Sequence, residues 1–358
     1  MVAPDVRTPA LALLLCSASA LAESQGAFRV WLGTGFDSNA RRDFSGGPSN
    51  LAREPDLVFS AIGSAEGRYR GASTQANAAY DLGLREFMRL PTENVVIQSA
   101  TADASVAIGR FLGAGLDARA KDRRGAERDY TDLGAEAFVE FVPDNTVDVK
   151  LHGGAHRFLY WDPPRELLLP SRFGYSYGAP ELGAYARYRF DKRHSAFAFG
   201  DAGFRTYQAS AVPKPPNPPT GARRADTVLS GGAGYAYRGP FTLSLTYGYT
   251  EQTSNSFGET VLRHRLSATG GARLPWKLTV LAQVVWQPAS YPDGVNLSEE
   301  LNITEDEDTY SQVSLKLARP VSEHVDAELR YALYWGALPK NDLTYSRQLA
   351  WLGLTWRL

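Results

Sequence analysis

Cysteine is almost absent from this chain, with Cys16 alone in 358 residues, and no apolar run beyond residue 22 approaches the roughly 20 residues that a membrane-spanning helix needs. The first scarcity excludes a disulfide framework, a cysteine metal site and a cysteine nucleophile from everything downstream of Cys16. The second means that, if the chain crosses a bilayer, it does so as a closed barrel, because hydrocarbon offers no partner to an open strand edge. A dominant charge is missing too: 38 Lys and Arg against 39 Asp and Glu leave a net charge of -1, which excludes a basic nucleic-acid binder. Catalytic signatures are equally scarce, with no Gly-x-Ser-x-Gly elbow, His-Glu-x-x-His pair or phosphate-binding loop. A mean hydropathy of -0.29 resembles that of a soluble protein. A transmembrane barrel has the same average, because only alternate residues are apolar.

The N-terminus reads as a secretory leader. Arg7 precedes an apolar stretch from Ala10 to Cys16, and Ala20-Leu21-Ala22 forms a small-x-small cleavage pattern. Leu15 stands before Cys16 where a lipoprotein leader carries a small residue, so lipid attachment is not expected. The expected division is a signal peptide over 1–22 and an outer-membrane barrel over 23–358, with the cell outer membrane as destination.

What the chain has in abundance is period-two alternation, the pattern of a strand whose successive side chains face opposite ways. Phe241, Leu243, Leu245, Tyr247 and Tyr249 alternate with Thr242, Ser244, Thr246, Gly248 and Thr250. Val325, Ala327, Leu329, Tyr331, Leu333 and Trp335 alternate with Asp326, Glu328 and Arg330 at the start of the other face. Segments 133–141, 147–151, 182–190, 262–272, 277–286 and 313–317 carry the same pattern, while 71–123 contrasts poorly because it is rich in alanine and glycine.

From Pro143 onwards the connections alternate between short and long, as in an up-and-down barrel with short periplasmic turns and longer outer loops. Continuing that rhythm back to Phe28 predicts an all-β, antiparallel up-and-down transmembrane β-barrel of about 16 strands, within a range of 14 to 18. Tyr160, Trp161, Tyr247, Tyr334, Trp335 and Trp356 fall near strand ends, where interfacial girdles place amphipathic rings.

Two short motifs and the whole-chain pattern resemble known families. The closing Trp351-Leu352-Gly353-Leu354-Thr355-Trp356-Arg357-Leu358 resembles the β-signal of bacterial outer-membrane proteins, carried here by Gly353, Trp356 and Leu358, with leucine replacing the usual terminal phenylalanine. Gly33-Thr34-Gly35-Phe36-Asp37-Ser38-Asn39, followed by Arg41 and Arg42, is similar to the opening of some large outer-membrane barrels, several of them associated with polysaccharide export or surface-protein assembly. Its plain structural alternative is a first strand ending in an Asx-type turn. The whole-chain pattern resembles the porin-type barrels of exopolysaccharide export systems. That resemblance implies a conduit for hydrophilic material, working with periplasmic polysaccharide-export components. Outer-membrane lipid and the barrel-assembly machinery complete the expected partners. General solute diffusion and a surface adhesive or structural role are the alternatives.

About 16 strands leave room for an aqueous channel. With the apolar set facing lipid, Lys150, Arg187, Arg189, Arg263, Arg265 and Lys316 fall on the lumen side, together with Arg273 and Arg330. The acids there are Glu136, Glu140, Asp148, Asp326 and Glu328, so mixed signs predict no strong ion selectivity. Tyr185 shares the face of Arg187 and Arg189, a position that suits sugar stacking. His152 and His156 share a face but stand four residues apart, roughly 13 Å along a strand, too far to ligate one ion together, so neither a metal nor a cofactor is expected. His264 and Ser267 are three apart and face opposite ways, which argues against a hydrolytic pair and, with the missing signatures, against an enzyme. The acidic stretch holding Glu299, Glu300, Glu305, Asp306, Glu307 and Asp308 reads as solvated loop. Pro213, Pro215, Pro216, Pro218 and Pro219 stiffen another, which either folds inward as a partial plug or stands outside.

Overall fold

Alternating sequences of this kind form strands because each residue type meets the surroundings it suits on a pleated wall. A computed structural model shows that wall and describes residues 23–42, 45, 53–125, 129–161, 175–218, 220–293, 310–338 and 343–358. The expected leader at 1–22 and the acidic stretch from Glu299 to Asp308 lie outside the described residues, as does Pro219.

The chain runs through β1 (Glu23–Asp37), β2 (Asp56–Arg70), β3 (Thr74–Phe87), β4 (Val95–Ala107), β5 (Leu112–Gly125) and β6 (Tyr130–Phe141). It continues through β7 (Val147–Tyr160), β8 (Tyr177–Arg189), β9 (His194–Ser210), β10 (Arg223–Arg238), β11 (Phe241–Ser254) and β12 (Val261–Arg273). The last segments are β13 (Thr279–Trp286), β14 (Ala289–Ser290), β15 (Ser311–Pro320), β16 (Val325–Leu338) and β17 (Leu343–Arg357). Sequence neighbours pair antiparallel, and β1 pairs with both β2 and β17, which closes the ring. β13 and β14 pair with β12 in one continuous register, Leu266 opposite Trp286 and Arg263 opposite Ala289. They are therefore two pieces of one wall strand, interrupted where Pro288 has no N–H to donate, and the barrel has 16 strands.

One face of this wall carries Leu229, Leu245, Leu266, Leu315, Leu329 and Leu354, each between 37% and 54% exposed, which is the surface a bilayer requires. Phe36, Phe59, Tyr247 and Trp286 stand on that face towards the long-loop end, and Phe28, Tyr188, Phe241 and Trp356 towards the short-turn end. These two bands of rings suit the two interfaces. The short turns share one end of the barrel with the start of β1 and the end of β17, where Phe28 and Leu358 exchange backbone hydrogen bonds of 3.2 and 2.9 Å.

Among the strand limits that differ from the alternation reading, two have a clear local cause. β7 continues past Leu151 to Tyr160, because Gly153, Gly154 and Ala155 pair normally while giving no contrast between faces. β13 begins only at Thr279, because Trp276 and Lys277 adopt left-handed φ angles of 61° and 60° in the preceding turn.

Two substitutions on adjacent residues test the assigned faces. Leu245→Arg turns a charge into hydrocarbon and is expected to cost about 2–4 kcal/mol near mid-bilayer, whereas Ser244→Arg is tolerated. Urea unfolding in lipid vesicles reads the difference. Equal losses in the two variants would overturn the assignment.

Candidate functional site: the inner wall

The seam between the first and last strands contains the most deeply buried ion pair of the wall. Asp37 ends β1, and Arg347 lies near the start of β17; both side chains are fully buried. Arg347 Nε donates to Asp37 Oδ1 at 3.0 Å and Oδ2 at 3.1 Å, with a further contact from Nη2. Asp37 Oδ1 also accepts the Asn39 backbone N–H at 3.0 Å, an Asx turn, so the Asp-Ser-Asn motif both ends a strand and fastens it to the chain's last strand. Below this latch, Trp31 and Trp351 pack edge to face at 5.9 Å, within an inward-facing apolar cluster that includes Val58, Phe87, Tyr345 and Leu349. Gly353 makes room for the packing: a Cβ there would meet Leu32 O at 2.5 Å and the Trp31 ring at 2.8 Å. Trp356 and Leu358, the other residues of the closing motif, point outwards at 57% and 74% exposure.

Round the rest of the ring, pairing across strands holds charge on the inner face. Glu328 is a hub: Lys316 Nζ reaches it at 2.6 Å, Arg330 Nη2 at 2.6 Å, and Thr355 Oγ1 donates to it at 2.7 Å. Arg330 also lies 4.3 Å over the Trp31 ring, which ties this network to the seam. Lys150 pairs with Asp117 at 2.8 Å, and Asp326 with Arg357 at 2.7 Å. Arg189 reaches Asp148 at 3.5 Å, and Arg187 stands directly opposite Asp148 in the ladder. Glu136 is opposite Asp117, and Glu140 opposite Lys150. On β12, Arg265 donates to Gln287 at 2.9 Å and Arg263 faces Thr250.

The structure thus brings Lys316, Glu328 and Arg330 together, gathers Glu136, Glu140 and Lys150 along neighbouring ladders, and leaves Arg263 and Arg265 in a separate sector. His152 bonds Asp201 at 3.0 Å, while His156 bonds Asp132 and, at 3.4 Å, Glu181, so the two imidazoles serve different partners. His264 contacts Tyr247 on the outer face, away from Ser267.

Sequence reading missed a second buried network at the long-loop end. Arg224 grips Asp226 at 2.7 and 3.1 Å, reaches Glu259 at 3.4 Å and lies 4.1 Å over Tyr207. Arg205 covers Tyr177 at 4.9 Å, next to the stacked Tyr130 and Phe158. The Arg-Arg-Ala-Asp run that supplies Arg224 and Asp226 borders the proline-rich stretch and looks like loop. Its signal was two opposite charges two residues apart, which share a face only if the strand begins earlier.

The proline-rich segment is tied to its neighbour loop: the Phe257 N–H donates to Val212 O at 2.8 Å, and the Val212 N–H to Ser256 Oγ at 3.0 Å. At the opposite end, Asp144 and Asp191 close short turns. Backbone N–H groups of Thr146 and Val147 on Asp144, and of Arg193 and His194 on Asp191, hold both carboxyls below the usual carboxylate range.

No family model and no curated protein matches the chain. Among solved structures it is similar to a bacterial polysaccharide outer membrane secretin, at 12% identity over 93% of this chain and 98% of that one, with a TM-score of 0.45. It is also similar to OccK11 (OpdR) of Pseudomonas aeruginosa, at 13% identity over 93% and 96% of the two chains, with a TM-score of 0.45. A Rhodopseudomonas blastica porin aligns at 10% identity over 94% and 100%, with a TM-score of 0.39. These likenesses concern barrel form alone.

Two expectations follow from the seam. Asp37→Ala strands a fully buried guanidinium and is expected to cost about 3–5 kcal/mol in urea unfolding, with the Asp37→Ala/Arg347→Ala double variant losing less than the sum of the singles. Strict additivity would show that the pair is not coupled. Gly353→Ala should reduce folding yield even in pure lipid vesicles, by steric conflict with Leu32 and Trp31, whereas Leu358→Ala should reduce it only where the assembly machinery is present. Yields that fall together under both conditions would overturn that separation.

Proposed function

We propose that this protein is an outer-membrane pore that passes hydrophilic material, with secreted polysaccharide as the cargo. The observation that carries the reading is the inner wall itself. A closed ring of 16 strands is wide enough for an aqueous channel, and away from the apolar cluster at the seam its inner face carries paired charges, hydroxyls and glycines. Lys150, Arg187, Arg189, Arg263, Arg265, Lys316 and Arg330 supply its cations, and Glu136, Glu140, Asp326 and Glu328 its acids. A wall of opposite charges held in pairs wets the channel without favouring ions of one sign.

Polysaccharide is preferred over small solutes on the resemblance of the whole chain to export barrels. In that role the short-turn end faces the periplasmic export components that deliver the polymer, and Gly353, Trp356 and Leu358 present the closing strand to the assembly machinery. Nothing in this reading requires a cofactor or a covalent step.

Conductance of the refolded protein in a planar bilayer tests the pore. Wild type is expected to conduct steadily with a cation-to-anion permeability ratio within roughly threefold of unity, as mixed wall charge dictates. Silence from wild type and from a variant lacking residues 213–219 would replace the pore with a surface scaffold. Vesicle swelling separates the cargoes: entry of mono- and disaccharides at rates that simply fall with size would make the protein a general diffusion porin.

A further inference from the structure

We infer that the short-turn rim of the inner wall, between β8 and β12, is a binding site for acidic sugar residues, in which basic side chains hold a carboxylate over an aromatic floor. This rests on the pore reading for its route of access and adds to it the chemistry of the cargo.

The recess has a volume of about 400 Å³, within the ~300–1,000 Å³ typical of small-molecule sites. Its cations come from two strands and a turn: Arg187 and Arg189 on β8, Lys192 and Arg193 in the turn that follows, and Arg238 at the end of β10. Asp191 is the acid among its lining residues, and its Oδ1 already accepts backbone N–H groups at 2.6 and 2.8 Å. Arg189 is partly occupied by Asp148 at 3.5 Å and by the Asn145 carbonyl at 3.1 Å. Among the described residues, Arg187, Lys192, Arg193 and Arg238 have no acid within ion-pair distance, unlike Lys316, Arg330 or Arg347 elsewhere on the wall. Arg187 is oriented by donating Nε to Tyr185 Oη at 2.8 Å, which leaves its outer N–H pair for a carboxylate.

The floor is what distinguishes sugar from a bare anion. Tyr185 and Phe197 stack on adjacent strands, ring centroids 5.9 Å apart and planes within 28°, and the Arg187 guanidinium lies 5.3 Å over the Tyr185 ring, so the aromatic surface and the cation form one patch. Phe197 lies over Gly234 of β10, where a Cβ would fall 2.3 Å from its Cζ; the missing side chain lets the ring rest against the wall. Ser195, Thr242, Ser244 and Thr269 supply hydroxyls around the recess. Flat rings for C–H faces, hydroxyls for hydroxyls and unpaired guanidinium for carboxylate match a uronate-type sugar at every edge, and the position is where a polymer enters from the periplasm.

Titration calorimetry of the whole barrel in detergent micelles tests this with oligogalacturonate, an uncharged maltooligosaccharide of equal length, inorganic phosphate and polyglutamate as probes. Oligogalacturonate is expected to bind at least about tenfold more tightly than the other three, the equivalent of about one charge-assisted contact combined with stacking. Arg187→Gln, and separately Lys192→Gln/Arg193→Gln in the exposed turn, should each raise its Kd about tenfold. The turn variant carries the test if Arg187→Gln does not fold. Equal binding of the neutral sugar, or an unchanged Kd in the turn variant, overturns the site. Equal binding of phosphate makes it a simple anion trap, and equal binding of polyglutamate makes it a dock for an acidic protein segment; either overturns the sugar assignment. A barrel that conducts without binding oligogalacturonate sinks this inference alone, whereas one that binds but never conducts sinks the pore reading.

Discussion

Every feature of this molecule depends on closing the backbone hydrogen-bond ladder into a ring. Hydrocarbon cannot satisfy an exposed N–H or C=O, so a wall with two free edges has no stable place in a bilayer. Closure here is the pairing of β1 with β17, from Arg29 opposite Arg357 to Asp37 opposite Leu349. Because side chains alternate, that register also decides which residues of all 16 strands face water and which face lipid. A slip of β17 by one residue against β1 would turn Trp351 into lipid and bring Leu352 inside while β1 kept its faces. The buried Asp37–Arg347 pair and the glycines beside the two tryptophans hold that register by charge and by shape together.

Once the ring is closed, its inner face solves a second electrostatic problem, that of holding many charges close together without repulsion. Networks centred on Glu328 and Asp226 do so by placing each acid between several donors, and both lie against aromatic rings that bind the cationic partner's face. The middle of the wall from β10 to β12 follows another plan: between the Arg224–Asp226 network at the long-loop end and the basic rim at the other, Ser230, Gly232, Thr246, Ser267 and Thr269 line it with small uncharged groups. The wall therefore divides into charged, rigidly bonded sectors and a smoother one bordered by the basic rim.

How much of this was legible in the sequence varied with local contrast. In 241–250 the faces could be read by eye, since Leu and Tyr alternate with Thr and Ser, and the structure runs all ten residues through β11 with Phe241, Leu245 and Tyr247 exposed. β4 was obscure because Ala100, Ala102 and Ala104 face lipid, and alanine is nearly neutral to its surroundings. The first half of β17 misleads altogether. There Tyr345, Leu349 and Trp351 face inwards around Arg347 while Ser346 and Gln348 face out, the reverse of the barrel's rule, because this portion lies near the long-loop end, where outward residues meet water. Asp37 was visible within its motif, but its partner lies 310 residues away, and no local pattern encodes such a pairing. The basic rim was half visible: Tyr185, Arg187 and Arg189 share an obvious face, whereas Phe197 and Arg238 join them only through strand pairing.

That separation of 310 residues sets the order of folding events. Neighbouring strands can pair as soon as both exist, but the seam joins β1 to β17, so the search for it begins only when β17 has been made. Local hairpins bring the two edges near each other, and the remaining entropic cost of joining them grows only slowly with the length enclosed. A chain that stops short of β17 therefore loses far more than one strand of contacts: it is left with two unsatisfied edges. Intermediate lengths have no corresponding low-energy state, and the protein is stable as a whole ring or not at all.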